Sequence, residues 1–338
     1  MSRSPAPVNP VSMAAVAARA GVSVATVSRV LNHQEGVTGK TQAKVNRAVE
    51  ELGYRVNQLA NSLRTARSWL LLIMVPDLGN PFYIEIVRGI DRVARQHGYF
   101  VLLCDTGADP GRERSAFELL RTHRADGAIC LDPDSIQQGL SQEINALPWI
   151  ACCEFDPAMP VPYVGIDNQG AAAEAIRYLL SRGHSRIALI GADPAYLYAR
   201  QREAGVRQAL AEAGLALADE WNIRVTSLSF LAGAEAAQQL LDCPQRPTAI
   251  FAVADALAIG LMHRLQEAGL RIPDDIAIMG FDDIPMAAQL NPPLTTMAQP
   301  MEELGAEAAQ LLLQRLNAPD TPLIGRLLPH RLVSRASA

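Results

Sequence analysis

The chain has 338 residues, 49% of them hydrophobic, which is enough for two or three domains with a substantial core. Its net charge of −5 conceals a division, because residues 1–68 carry nine Lys and Arg against three Asp and Glu. That segment is therefore +6 and residues 69–338 are −11. An acidic whole excludes a uniformly basic nucleic-acid binder, but a basic N-terminal segment holding both lysines, Lys40 and Lys44, suits counterion release from a polyanion. The five cysteines (104, 130, 152, 153, 243) form no CxxC pair and cannot all pair, which points to reduced thiols and the cytoplasm. No apolar run approaches the roughly 20 residues of a spanning helix. Residues 1–10 lack the apolar core of a secretory leader, so secretion is not expected.

Taken in order, a Pro/Ser-rich tail, expected to be disordered, runs through residue 11. Ser12 can cap a helix over Met13–Ala20, with Val16, Ala17 and Ala20 on one apolar edge, and Gly21 permits the tight backbone that ends it. Ser23 can cap a second helix in which Val27, Val30 and Leu31 recur at helical spacing. Val24, Ala25, Thr26, Ser28 and Arg29 then face outward. A helix facing only water usually carries Glu and Lys there. Small side chains, hydroxyls and an arginine instead suit close approach to a phosphate-rich surface. Two short helices around a glycine-containing turn predict a helix-turn-helix. A third helix is expected over residues 40–52, with Val45, Val49 and Leu52 inward, Gly53 at its end and Tyr54 packing back.

At this point the sequence resembles a known family. Val16-Ala17 through Ala20-Gly21-Val22-Ser23, then Thr26-Val27-Ser28-Arg29-Val30-Leu31-Asn32, is similar to the headpiece of the LacI/GalR regulators. The match continues through Val37-Thr38, Lys40-Thr41, Val45, Leu52-Gly53-Tyr54 and Asn57. The resemblance implies that Ser12, Val24, Ala25, Thr26, Ser28, Arg29, Asn32 and Thr38 face operator DNA, Val24 and Ala25 through apolar contacts such as thymine methyls. The headpiece is then residues 12–55, and residues 56–68 are a hinge helix and linker. Asn57 can cap that short helix, with Leu59, Ala60 and Leu63 on one side. Ten residues are too few to hold a helix alone in water. In the resembled family this helix pairs with its twin and wedges a leucine into the minor groove; Leu63 matches the wedge, Ala60 the close helix contact and Arg64 its neighbour.

From residue 69 strands and helices alternate. Leu70–Val75 is a continuous apolar run, as expected of a parallel strand covered on both faces. A helix follows over residues 83–97, then strands near residues 100–103, 127–131 and 149–152. A second start at residues 186–190 repeats the strand-then-Asp pattern and is followed by strands near 248–253 and 276–280. This alternation predicts doubly wound parallel α/β sheets. With the resemblance, the fold class is α/β: a small all-α helix-turn-helix headpiece plus a two-lobed, periplasmic-binding-protein-like domain over residues 69–338 for effector binding and dimerisation. Lobe one is expected near 69–167 plus 298–326, and lobe two near 168–297 plus 327–335. The crossings are expected near Asp167-Asn168, residues 296–299 and residues 325–328.

Ligands of open α/β sheets bind beyond the carboxyl ends of strands. Asn80, Phe82 and Tyr83 follow the first strand. Asp282, in Gly280-Phe-Asp-Asp, sits where the glycine permits a tight turn and can accept from paired hydroxyls. The resemblance adds Tyr198, Arg202 as a fork onto ligand oxygens and Phe230 as a stacking aromatic. Asp255 reads first as a helix cap and only second as a ligand contact. Several stretches, among them Glu154-Phe155 and Val75-Pro-Asp77, are most similar to the cytidine-repressor type within the family. The implied effector is a nucleoside, with a free pentose or hexose as the alternative. There is no GxGxxG after a strand, no GxxxxGK[ST], no GxSxG and no HExxH, so neither an enzyme nor a cofactor or metal site is expected. The expectation is a homodimeric repressor binding a pseudo-palindromic DNA site, its dimer face including the helix over residues 83–97, whose stripe of Ile86, Ile90 and Val93 is explained in part by the lobe core. A solute-binding protein without a DNA role is the reading from another class.

Overall fold

The computed structural model describes residues 11–31, 36–54, 67–131, 144, 146–155, 157, 160–319, 321–322 and 324–338. Of the expected DNA-facing positions, Asn32, Asn57, Ala60, Leu63 and Arg64 lie outside them. The chain divides into two compact units, residues 1–67 and 68–338.

Among its described residues the first unit is a three-helix cluster of α1 (Met13–Ala20), α2 (Val24–Leu31) and α3 (Gly39–Leu52). The Ser12 hydroxyl accepts from the Ala15 amide at 3.2 Å, satisfying one orphan donor of α1, and Gly21 ends that helix at φ 67°. The Ser23 hydroxyl does the same for α2 through the Thr26 amide at 3.1 Å. Helices α1 and α2 meet at 102°, within the range of a helix-turn-helix. Val16, Val27 and Val45, one from each helix, are fully buried, and Tyr54 closes on the same cluster. No single described helix is long and apolar enough to cross a membrane.

The second unit contains two six-stranded sheets. The first is built from β1 (Leu70–Val75), β2 (Phe100–Asp105), β3 (Gly127–Leu131), β4 (Trp149–Cys152), β5 (Tyr163–Ile166) and β11 (Arg326–Leu328), in the order β11-β5-β4-β3-β1-β2 and all parallel. The second takes β6 (Ile187–Gly191), β7 (Asn222–Arg224), β8 (Ala249–Ala252), β9 (Ala277–Asp282), β10 (Thr295–Ala298) and β12 (Arg331–Val333), in the order β12-β10-β9-β8-β6-β7. Only β12 runs antiparallel among these pairings. The central strands β3, β4, β6, β8 and β9 are buried along their whole length, which is why their sequences are uninterrupted apolar runs. Between the sheets the chain passes at Asp167, at Gln299-Pro300 and at Pro329-His330. The segment expected to hold the last crossing is itself strand β11, and the passage lies just beyond it.

Helix α4 (Pro81–Gln96) follows β1 and packs against α10 (Met301–Asn317). Its apolar stripe of Ile86, Ile90 and Val93 is buried in the same core as Leu304 and Ala308 of α10, so it stabilises the protomer and is not a dimer face. Large apolar side chains left exposed in this part of the unit include Ile84 and, on the edge strand β2, Phe100, Leu102 and Leu103. The two helices touch backbone to backbone at Gly89 and Gly305. A Cβ on Gly305 would overlap the Ile86 carbonyl, and one on Gly89 the carbonyl of Glu302. Because α4 carries Asn80, Phe82 and Tyr83 at its start, this contact also fixes one wall of the cleft described next. Gly305→Ala should destabilise the unit by about 1–3 kcal/mol, as overpacking does. An unchanged urea midpoint would show that the helices can part freely here.

Candidate functional site

The outer side of α2 presents Val24, Ala25 and Arg29 to solvent, with Thr26 and Ser28 half-buried. Val24 is 46% exposed although it is a β-branched aliphatic, while the inward Val27 is fully buried. The Thr26 hydroxyl sits 2.9 Å from that of Ser23, and Thr38, exposed before α3, sits 3.0 Å from Thr41. A helix end offering an aliphatic, a methyl, two hydroxyls and a guanidinium matches the chemistry of a groove contact: apolar atoms for base methyls, donors for phosphates.

The larger site lies at the carboxyl ends of β1, β2, β6 and β7, between the two lobes. A chamber of about 460 Å³ opens there, within the range of small-ligand sites. Asn80, the N-cap of α4, accepts from the Phe82 amide at 3.1 Å and faces this chamber with Tyr83. Across it, Tyr198 of α7 (Leu197–Glu212) is joined by Tyr196, their rings 5.5 Å apart and 24° from parallel. Beneath lies a much smaller pocket lined by Phe82, Cys153, Arg202, Asp282 and Gln299.

Arg202 is buried at the floor. Its Nε donates to Asn168 Oδ1 at 2.9 Å and its Nη1 to the Val253 carbonyl, and the guanidinium lies 3.7 Å over the Phe281 ring and 5.1 Å from that of Tyr198. Asp282 ends β9 with φ 120°, a conformation that L residues rarely adopt, and its Oδ1 accepts from Gln299 Nε2 at 2.7 Å. Asn80, Phe82, Tyr83, Tyr198, Arg202 and Asp282 are thus brought together.

Two expected residues are not. Phe230 begins α8 (Phe230–Asp242), is 39% exposed and lines neither cavity; Leu228, two residues earlier, lines both. Asp255, the first residue of α9 (Asp255–Glu267), is fully buried and also lines neither. The sequence reading missed Asp105, Arg112, Asp193, Thr226 and Ser227 on the chamber wall. The signal was present: Asp105 ends β2, and Asp193, Thr226 and Ser227 follow β6 and β7, so the strand-end rule that selected Asn80 selects them too. Asp77, Asp105 and Asp193 each hold the amide two residues ahead, at 2.7, 2.9 and 2.8 Å, so their carboxylates are fixed in turns at the rim.

Residues 12–57 match the family model described as bacterial regulatory proteins, lacI family, and residues 176–338 match that of a periplasmic binding protein-like domain. The chain is 36% identical to the HTH-type transcriptional repressor CytR of Escherichia coli (strain K12), over 95% of this chain and 94% of that one. It is 37% identical to the ribose operon repressor of the same strain, over 96% and 98%. Among solved structures it is similar to the Lac repressor dimer bound to operator and the anti-inducer ONPF, with a TM-score of 0.85 and 29% identity, covering 97% and 99%.

Asp255 has a structural task beside the site. Its Oδ2 accepts from the Ile284 amide at 2.9 Å and its Oδ1 from the Thr296 hydroxyl at 2.6 Å, so it joins the start of α9 to β10 and to the turn after β9 rather than capping its own helix. Burial pushes its carboxyl well above the usual range, and the neighbouring carboxylate of Asp282 adds to the rise. The folded state therefore holds this proton more tightly than the unfolded chain does. The stability it contributes is present below the unfolded value of about 3.9 and is lost as pH rises through the folded one. Asp255→Asn keeps an acceptor for Ile284 and removes the titration, so its urea midpoint should fall less than the parent's between pH 5 and pH 8. Parallel pH profiles for the two proteins would reject this assignment.

Proposed function

The chain belongs to the LacI family of bacterial transcriptional regulators, and from that premise we propose a homodimeric, cytoplasmic repressor whose operator affinity is controlled by a nucleoside bound between its two lobes. Each headpiece sets α2 in a major groove, with Val24 and Ala25 on base edges and Thr26, Ser28 and Arg29 on phosphates or bases. Ser12 and Thr38 hold the backbone, and twofold symmetry gives two half-sites. In the hinge, Leu63 is the minor-groove wedge, Asn57 the cap, Ala60 the close contact with the twin helix and Arg64 a flanking contact; Asn32 extends the headpiece set. The exposed edge strand β2, with Phe100 62% exposed beside Leu102 and Leu103, and Ile84 on α4 supply the apolar surface for pairing.

The observation that carries the effector reading is the pairing of a polar floor with an aromatic wall. Arg202 and Asp282 offer donors and an acceptor to ring hydroxyls, and Phe82, Tyr83, Tyr196 and Tyr198 offer flat surfaces to a base. Phe230 is replaced in that stacking role by the tyrosines of the chamber. Asp77, Asp105 and Asp193 outnumber Arg112 on the wall, which favours an uncharged nucleoside over a phosphorylated one. A free pentose or hexose, the second reading, would use the same floor and leave the wall bare. The ribose operon repressor among the relatives gives that reading its support. Solute binding without a DNA role leaves the headpiece unexplained, and the relatives are regulators, not enzymes.

A thermal-shift screen against nucleosides, nucleotides, bases and sugars tests this directly, since a ligand of the folded state raises its melting temperature by mass action. Cytidine or adenosine should stabilise the protein, and ribose and the nucleoside monophosphates should not. Asp282→Ala should abolish the shift while leaving DNA binding intact; stabilisation by a sugar alone would discard the nucleoside. For the hinge, Leu63→Ala should weaken binding to an operator selected from random DNA far more than binding to nonspecific duplex. Equal loss on both would end the wedge assignment.

A further inference from the structure

We propose that Glu154 is a positioning residue: it ties lobe one to the start of α7, and so holds Tyr198 and Arg202 at the cleft before any ligand arrives. Glu154 follows β4 on a stem anchored in lobe one. The Cys153 amide donates to the Val164 carbonyl at 2.9 Å and the Glu154 amide to that of Cys152 at 3.0 Å. Phe155, next in the chain, stacks on Tyr163 with ring centres 4.0 Å apart and planes 3° from parallel. It lies against Gly165, where a Cβ would overlap its ring. From this stem the carboxylate crosses to lobe two. Oε1 accepts from the Leu197 amide and Oε2 from the Tyr198 amide at 3.0 Å, the first two residues of α7.

Those amides are orphan donors of a helix end, and the N-cap residue Tyr196 supplies no side-chain cap of its own. A carboxylate is the group a helix N-terminus favours most, through both its hydrogen bonds and the helix dipole. Its setting makes the tie strong. Glu154 is 3% exposed, so parting the lobes at this point must either leave a buried charge without these donors or let water in. The two bonds are therefore made or lost together, a discrete state of the lobe interface. What they hold is the cleft. Tyr198 lines both cavities, and one turn further along α7 stands Arg202. Lobe two's own packing gives α7 its place over β6; Glu154 adds its place relative to lobe one.

The tie itself needs no ligand to be tested, and only its consequence for binding rests on the effector reading above. In the full-length protein, hydrogen–deuterium exchange of peptides spanning residues 196–202 is compared with peptides covering β6 and β8. Glu154→Ala should accelerate exchange at Leu197 and Tyr198 roughly tenfold or more, the scale of lost hydrogen bonds to a charged group, with β6 and β8 unchanged. Glu154→Gln, which still offers one oxygen, should fall between. Titrated with cytidine, Glu154→Ala should bind roughly tenfold more weakly and Glu154→Gln less so. Unchanged exchange at 197–198, or equal acceleration in β6 and β8, overturns the proposal. If the parent protein binds no cytidine, the nucleoside reading fails while the exchange result still decides the tie.

Discussion

A cation withdrawn from water must be compensated by everything around it, and the cleft is built on that constraint. Arg202 is buried, so each of its donors requires an acceptor nearby. Two of the acceptors come from separate parts of lobe two: Asn168 at the first crossing between the sheets, and the Val253 carbonyl at the end of β8. The ring of Phe281 on β9 takes the face of the guanidinium, and Asp282 follows it on the same strand end. Lysine could not serve, since a point charge does not fork between acceptors while lying flat on a ring. In this arrangement the floor pocket is nearly filled, and the polar groups a ligand would use already have protein partners. Among those partners, Asn168 for Arg202 and Gln299 for Asp282 both belong to crossings between the lobes. A ligand hydroxyl that takes the place of either acts directly on the strands that join the lobes.

Much of this was legible in the sequence, because the relevant signals are local or periodic. The caps at Ser12 and Ser23, the turn at Gly21 and the inward valines of α1 and α2 are read from spacing alone, and the structure makes each of those contacts. Apolar runs gave away the buried strands, and the rule that ligands gather at strand ends found Asn80, Phe82 and Tyr83. Arg202 and Asp282 lie far apart in the chain. Arg202 was picked out through resemblance and Asp282 through its turn at a strand end, and no periodicity would have joined them.

The misses have a common cause. Whether an apolar or acidic side chain faces a cleft, a core or a partner depends on what the rest of the chain brings opposite, and one strand or helix does not encode that. Ile86, Ile90 and Val93 form the stripe of an interface helix, but α10, more than two hundred residues later, covers it through the contact at Gly89 and Gly305. Phe230 starts a helix, is 39% exposed and does not line the chamber, while Leu228 two residues earlier does. Asp255 looks like a cap, yet its bonds run to Ile284 and Thr296, elements the sequence places nowhere near it.

Glu154 belongs to the same class of long-range feature, and it bears on how far a ligand can move this molecule. A ligand shifts a two-state equilibrium only by its differential affinity for the states. If part of the preference for the present lobe arrangement is already supplied by a buried carboxylate on the α7 amides, the ligand need supply only the remainder. Its differential affinity can then be modest and still decide the outcome. The same tie sets a limit in the opposite direction. A ligand favouring separated lobes must overcome two charge-assisted hydrogen bonds in a dry setting before it gains anything at Arg202 or Asp282. One carboxylate on one helix end thereby weighs on which of the two directions is the easier response.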